Sequence, residues 1–245
     1  MFRHKGNRRT FNHNLRLASN LSFIAGIVNI AGVLSVATLT TNVTGHFAYF
    51  SEELSLKNYS KAITFVLFIF FFLLGAFVCN TLIEIISKLK PRIAHAFPML
   101  IEIIVLTFVG AGYISHKEHI AYSLLFAMGI QNALVTQISQ SVVRTTHLTG
   151  LFTDLGIELS QLFFYKKPDE KSRLKRSILL RLSIIFFFFL GGILGGFFYK
   201  KYQLEILLFA ALSLVIALFF DNIIIYYNMT KRKIKSNFPN DISSN

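Results

Sequence analysis

The 245-residue chain lacks tryptophan and has one cysteine, Cys79, so no disulfide can form within it. Charged residues make up only 15% of the sequence, against about 25% in an average soluble domain. The signatures of common hydrolases, metalloproteases and nucleotide-binding enzymes are also missing, since neither HExxH, GxSxG nor a Walker A loop occurs. These absences argue against a soluble enzyme, and we expect no catalytic residue, cofactor or metal.

Acidic residues are scarce as well, and the 25 Lys and Arg against 12 Asp and Glu give a net charge of +13. On a soluble protein such an excess could indicate nucleic-acid binding. Here the basic residues lie almost entirely between apolar segments, and no helix-turn-helix, zinc or RNA-binding motif accompanies them. Membrane topology is the simpler cause, so the expected partner is the lipid bilayer and not nucleic acid.

Long apolar stretches are abundant, with 53% hydrophobic residues and 27 Phe. Each is long enough to cross about 30 Å of hydrocarbon as a helix, the only structure that satisfies its own backbone as an isolated segment in lipid. The stretches are 18–39, 63–87, 97–115, 119–142, 177–199 and 204–227. The sequence therefore predicts an all-α, polytopic transmembrane bundle of about six spans.

The distribution of basic residues predicts the orientation. If both termini are cytoplasmic, the cytoplasmic regions 1–17, 88–96, 143–181 and 228–245 contain 20 of the 25 Lys and Arg. This asymmetry follows the positive-inside rule for a multi-pass protein. In an alternative interpretation, the basic N-terminus and first apolar run are a signal peptide ending at Ser35-Val36-Ala37. Cleavage there would remove a helix that the internal repeat needs.

The chain contains an internal repeat. Residues 40–55 read TTNVTGHFAYFSEELS and residues 145–160 read TTHLTGLFTDLGIELS, with eight of sixteen positions identical; chance would give about one. We interpret 18–115 and 116–227 as two three-helix repeats between cytoplasmic tails 1–17 and 228–245. An odd number of spans places the copies in opposite orientations, as in many secondary transporters, although duplication also produces purely structural bundles.

The repeated Thr-Thr-x-x-Thr-Gly motif is a poor helix interior, so each copy is expected to end one helix and start another, with Thr44 and Thr149 as N-caps. Helix N-termini carry free N–H groups and partial positive charge, which two facing motifs could direct at an anion or carboxylate. We predict a solute-binding site made by both motifs and nearby polar residues. It comprises Asn29, Thr40, Thr41, Asn42, Thr44, Gly45, Gln131, Asn132, Arg144, Thr145, Thr146, His147, Thr149 and Gly150.

Other features leave alternatives open. The threonines and glycines could merely pack and cap helices, as in a non-transporting sensor or assembly protein. The two overlapping GxxxG patterns permit close helix contact within the chain or in a homodimer; they are formed by Gly191, Gly192, Gly195 and Gly196. Glu53 and Glu158 are expected to point into water, with proton coupling as the alternative. Glu102 and Asp221 lie in predicted spans near the cytoplasmic end, where snorkelling to the interface competes with a functional role.

These motifs also support a family resemblance. The Gly26–Asn29 stretch leading to Thr-Thr-Asn-Val-Thr-Gly (40–45), and Gly129-Ile-Gln-Asn132 leading to Arg-Thr-Thr-His-Leu-Thr-Gly (144–150), resemble the YoaK family, the DUF1275 membrane proteins of bacteria. The resemblance covers about 18–227 and implies a bundle of membrane helices in the bacterial inner membrane, without implying an activity. The residues themselves favour a small-solute transporter or channel.

Overall fold

The structure, a computed structural model, describes residues 10–91, 93–165 and 167–219. Within these ranges every element of secondary structure is helical, which confirms the predicted all-α class. The elements are α1 (Phe11–Val36), α2 (Val43–Ser55), α3 (Tyr59–Leu89), α4 (Ala96–Gly110), α5 (Lys117–Ser139), α6 (Leu148–Phe164) and α7 (Pro168–Tyr202). A short 3-10 turn (Gln203–Glu205) and α8, residues 206–219, follow.

Over the described residues, the six predicted apolar stretches coincide with α1, α3, α4, α5, α7 and α8, whereas α2 and α6 contain the repeated motifs. Among the described residues, three helical segments are long and apolar enough to cross a membrane: Phe11–Val36, Tyr59–Leu89 and the run Pro168–Phe219. Helix α4 is also apolar but has 15 residues. The helices indicate a membrane protein. Residues 1–9 and 220–245, which include Asp221 and the predicted tail 228–245, lie outside the described residues.

Large apolar side chains cover the outer surfaces of α3 and α7. Each is at least half exposed: Phe70, Leu73 and Phe77 on α3, and Phe186, Ile193 and Phe197 on α7. A soluble protein rarely exposes so continuous an apolar surface to water. Small residues such as Gly75 and Gly191 lie on the inner faces of the same helices. Large apolar side chains on the outside and small residues at the helix contacts are typical of helices that pack within a lipid bilayer.

Helix α1 packs along α7 through two glycines. Gly26 of α1 faces the backbone carbonyl of Phe188, and Gly191 of α7 faces the backbone carbonyl of Phe23. A Cβ at either glycine would lie less than 3.0 Å from that oxygen, which no side chain tolerates. The two backbones therefore touch, and only glycine permits this contact.

Helix α5 packs along α3 in the same way. Gly129 faces the carbonyl of Phe72, and Gly75 faces the carbonyl of Phe126, again with no room for a Cβ. Gly129 thus takes the place of Gly26, and Gly75 takes the place of Gly191. The first helix of each half packs on the third helical segment of the other half, so the sequence repeat is matched by a repeat of contacts.

The four glycines of the GxxxG patterns all face α1 of the same chain. A Cβ at Gly195 would meet Ile27 and Ile30, one at Gly196 would lie 3.3 Å from Ile30, and Gly192 is close to the Gly26 carbonyl. The close helix contact that these glycines predict is therefore made within the subunit. A homodimer through them stays a prediction, and it would have to use a face that α1 already covers.

Helices α1 and α5 run in opposite directions. Gln131, late in α5, donates a 2.6 Å hydrogen bond from Nε2 to the carbonyl of Leu21, early in α1. At the other end, the space beside Gly32, late in α1, is bounded by Leu124, early in α5. By contrast, the glycine contacts make α1 parallel to α7. Helix α3 is parallel to α5, because Phe68 contacts Tyr122 near one end and Asn80 bonds Gln137 near the other.

Candidate functional site

Both repeated motifs interrupt the helical chain. Helix α1 ends at Val36 and Ala37 has a φ of 53°, while α5 ends at Ser139 and Gln140 also has a φ of 53°. Irregular segments then lead to α2 and α6. The left-handed backbone stops each helix, and the prediction that each motif ends one helix and begins another is confirmed.

The predicted caps, Thr44 and Thr149, are wrong. The N-cap residues are Asn42 and His147, so both threonines lie in the first helical turn. The Oδ1 atom of Asn42 accepts a 3.1 Å hydrogen bond from the backbone N–H of Gly45. Asn is a stronger N-cap than Thr, and its position two residues earlier leaves the Thr44 hydroxyl unused in capping.

Equivalent hydrogen bonds tie each motif to the helix before it. The hydroxyl of Thr41 donates to Oδ1 of Asn29 at 3.0 Å, and the hydroxyl of Thr146 donates to Oδ1 of Asn132 at 2.5 Å. All four side chains are partly buried. The upstream asparagines therefore hold the irregular segments in place, which gives a physical reason for their presence in both repeats.

A cavity of about 830 Å³ lies between the two motifs; we call it the central cavity. Its wall includes ten of the fourteen residues predicted to bind a solute: Asn29, Thr41, Asn42, Thr44, Gly45, Asn132, Arg144, Thr146, His147 and Thr149. Sequence reasoning missed Thr136 and the apolar residues Leu39, Phe72 and Phe188 in the same wall. The structure thus brings both motifs to one space.

The other four predicted binding residues do not line the central cavity. Thr40 and Thr145 are fully buried, and Gln131 is buried with its amide bonded to the carbonyl of Leu21. Gly150 lies in the wall of a neighbouring pocket. Adjacent threonines in an irregular segment point in different directions, so only one of each Thr-Thr pair faces the cavity.

The cavity wall is rich in hydroxyls and carries positive charge. Arg144 is exposed there, and among the described residues no ion pair joins it to a carboxylate. No Asp or Glu is found among the described residues that line the cavity. The N-termini of α2 and α6 also begin at this wall, and each adds partial positive charge. This electrostatic environment suits an anion or a carboxylate.

Glu53 and Glu158 do not simply point into water as predicted; their side chains are 16% and 13% exposed. Glu158 accepts hydrogen bonds from Arg181, from Nε to Oε2 at 2.9 Å and from Nη2 to Oε1 at 3.0 Å. Glu53 lies 3.7 Å from Lys61. In both halves this carboxylate joins the motif helix to the next helix.

Glu102 does not reach the protein surface, as snorkelling would require. Its side chain is fully buried in the bundle, and neither carboxylate oxygen has a hydrogen-bond partner in the part of the chain that the structure describes. Cys79 is also buried and packs in the apolar core.

Comparison with known families finds a match over most of the chain. Residues 17–220 match the family model described as "Protein of unknown function (DUF1275)", which confirms the resemblance stated from the motifs at the level of that family. No curated protein and no solved structure matches the chain.

Proposed function

The chain belongs to the DUF1275 family, and we propose that it is a membrane transporter or channel for a small solute that binds in the central cavity. One observation carries this proposal: residues from both copies of the repeated motif line a single space. If the motifs served only to pack helices, they would not need to enclose a cavity. Transporter sites commonly lie at such an interface between repeats, where helices are interrupted.

We further propose six spans arranged as two inverted repeats in a bacterial inner membrane, with both termini cytoplasmic. The opposite directions of α1 and α5, the first helices of the two halves, support the inversion, because equivalent helices of an inverted repeat must run oppositely. The equivalent glycine contacts support a common ancestor for the halves. The cytoplasmic termini follow from the distribution of Lys and Arg.

The proposed solute is an anion or carries a carboxylate. Arg144 supplies a full positive charge at the cavity wall, and the N-termini of α2 and α6 add the partial positive charge of their helix dipoles. A cation would meet no compensating carboxylate among the described wall residues. Hydroxyls of Thr44 and Thr149 add uncharged donors, one from each motif.

Flux through purified protein in liposomes tests the proposal. A panel of labelled monocarboxylates and inorganic anions would be offered to the wild type and to Thr44→Val and Thr149→Val, which keep the side-chain shape but remove the hydroxyl. Loss of one solute hydrogen bond of about 1.4 kcal/mol corresponds to about tenfold weaker binding. Thr107→Val is the matched control, because Thr107 is exposed on α4 and bonds its own helix.

We expect the two cavity variants to lower uptake at subsaturating solute while melting as the wild type does. If no anion of the panel moves through the wild-type protein, or if the folded cavity variants transport normally, the binding role of the motifs fails. The non-transporting alternative, in which the threonines pack and position helices, would then be preferred.

A further inference from the structure

A second cavity, of about 450 Å³, lies between α6 and α7; we call it the side pocket. Arg144 and His147 line both this pocket and the central cavity. Since two residues form part of both walls, the two spaces are neighbours separated by these side chains and their backbone. The remaining wall is polar on one side, where Asp154 of α6 pairs with Arg181 of α7 at 3.0 Å.

The equivalent region of the first half is filled by aromatic rings. His46 and Tyr49 of α2 pack on Phe65 and Phe68 of α3, with ring centroids 5.2 Å apart for His46 and Phe68 and 5.3 Å apart for Tyr49 and Phe65. Phe65 and Phe68 are themselves in edge contact at 5.7 Å. We call these four residues the aromatic cluster. The Nε2 atom of His46 also forms a 2.8 Å hydrogen bond with the carbonyl of Leu39, and this bond connects the cluster to the segment that precedes the first motif.

The two regions occupy corresponding places in the repeat. Aligning the motifs places Tyr49 opposite Asp154, and aligning Gly75 with Gly191 places Phe65 opposite Arg181. The stacked pair Tyr49–Phe65 therefore stands where the ion pair Asp154–Arg181 stands in the other half. One half has a polar pocket at this place and the other has packed rings, although the backbone plan is the same.

We infer that the side pocket is the entrance through which solute reaches the central cavity, and that the aromatic cluster is the closed barrier at the related place in the other half. This inference rests on the proposed function. A transporter built from inverted repeats opens its site to one side at a time, and of the two related places one holds a pocket and the other holds packed rings. Carboxylates compensate Arg181, so Arg144, at the junction, is the residue that an entering anion meets.

Thiol accessibility tests the route without requiring transport. In a Cys79→Ser background, Thr44→Cys places a thiol in the central cavity, on the motif farther from the side pocket. A membrane-impermeant, charged methanethiosulfonate reagent would be added to either face of oriented vesicles. Ser172→Cys, at the start of α7, and Ser115→Cys, between α4 and α5, mark the two faces, because both serines are exposed. We expect the cavity thiol to react about tenfold faster from the face marked by Ser172.

A second substitution blocks the route. Leu180 lines the side pocket and is 6% exposed, whereas its neighbour Leu179 is 49% exposed on the outer surface. Leu180→Trp should slow modification of the cavity thiol about tenfold by filling the pocket, and Leu179→Trp should not change it. Leu180→Phe is a smaller block to use if the Trp variant does not fold. Conversely, Phe68→Ala should open the aromatic cluster and allow modification from the face marked by Ser115.

Equal modification from both faces, or a cavity thiol that reacts normally behind folded Leu180→Trp and Leu180→Phe, would overturn the inference. Failure of the proposed function has a different signature. A protein that moves no anion but shows the predicted one-sided, blockable reactivity would retain the entrance and lose the transport role. A protein that transports anions while its cavity thiol reacts from the face marked by Ser115 would retain transport and lose this entrance.

Discussion

The hydroxyl of Thr146 donates a 2.5 Å hydrogen bond to Oδ1 of Asn132, fourteen residues earlier, and the amide of Asn132 donates to the carbonyl of Met128. The asparagine thus links the irregular second motif to regular helix α5. Thr41 and Asn29 repeat the link in the first half at 3.0 Å. Both motifs therefore hold their place beside the central cavity through side chains, because their backbones have left the helical hydrogen-bond pattern.

Thr146→Val should weaken this link. The substitution keeps the shape of the side chain but leaves the partly buried Oδ1 of Asn132 without its donor, and we expect the free energy of unfolding to fall by about 1 kcal/mol. Thr146→Ser, which retains a hydroxyl, is the control and should lose less. Thermal unfolding in detergent measures the difference. A Val variant as stable as the wild type, or a Ser variant as damaged as the Val variant, would contradict this role.

The repeat in the sequence was enough to predict the broken helices and the meeting of the two motifs, because identical residues at corresponding places signal one local structure used twice. It could not predict which threonine of each pair faces the cavity. Thr40 and Thr41 are adjacent, and the orientation of each side chain follows from the left-handed backbone at Ala37. Glycine is the usual residue in that conformation, so an alanine there gives no sequence signal.

Partners distant in sequence were also beyond prediction. Gly26 and Gly191 are recognisable in the sequence as small residues in apolar helices. Their contacts with the backbone of Phe188 and Phe23 depend on how α1 packs against α7, which the sequence does not specify. Arg181 reads from the sequence as an ordinary basic residue at a span end. Its hydrogen bond to Glu158 forms because α6 packs against α7, and this packing could not be predicted from the sequence.

Neighbouring glycines in α7 should respond differently to alanine. At Gly191 the new methyl would meet the Phe23 carbonyl at less than 3.0 Å, so α1 and α7 must separate, at a cost of about 1–3 kcal/mol. At Gly192 the nearest atom beyond its own helix is 3.9 Å away, and alanine favours helix by up to about 1 kcal/mol. Thermal unfolding should therefore occur earlier in Gly191→Ala and at the wild-type temperature or above in Gly192→Ala.

The same comparison tests the equivalence of the two halves. Because Gly129 faces the Phe72 carbonyl as Gly26 faces that of Phe188, Gly129→Ala and Gly26→Ala should be destabilised to a similar extent. Gly156→Ala, on open surface of α6, serves as the control, since a Cβ there meets nothing within 4 Å. If Gly191→Ala or either of the equivalent variants proved as stable as Gly156→Ala, the backbone contacts between α1 and α7 or between α3 and α5 would be in doubt.

Arg181→Gln should lower the free energy of unfolding, because it removes the ion-pair partner of Glu158. The Glu158 side chain is 13% exposed and would keep only the 2.6 Å hydrogen bond from Ser177, so we expect a loss of roughly 1–3 kcal/mol. Asp154→Asn should cost roughly 0.5 kcal/mol or less, because Asp154 is 51% exposed and water screens its charge. Adding Glu158→Gln to Arg181→Gln should recover part of the stability, and a double-mutant cycle by thermal unfolding measures the coupling. Additive effects would contradict the ion pair.

Arg144→Gln should weaken anion binding without destabilising the fold. Arg144 is exposed at the junction of the two cavities and forms no ion pair with a described carboxylate, so its removal leaves no buried charge unpaired. Arg144→Lys keeps the positive charge and should retain most of the binding. Loss of one charge-assisted contact corresponds to about tenfold or more in affinity, measured as the solute concentration that gives half-maximal uptake. Unchanged half-saturation in the Gln variant would remove Arg144 from the site.

Glu102→Gln tests whether a buried carboxyl has a role beyond packing. Its side chain is fully buried, and neither oxygen finds a partner in the described part of the chain; burying an unpaired ionised carboxylate costs several kcal/mol. Gln has the same shape without an ionisable group, so the melting temperature should be unchanged or higher. Glu84→Gln, at an exposed position of α3, is the control. A Glu102 variant that folds normally but has lost uptake would show that the carboxyl takes part in the transport cycle, whereas strong destabilisation would contradict an unpaired carboxyl at this position.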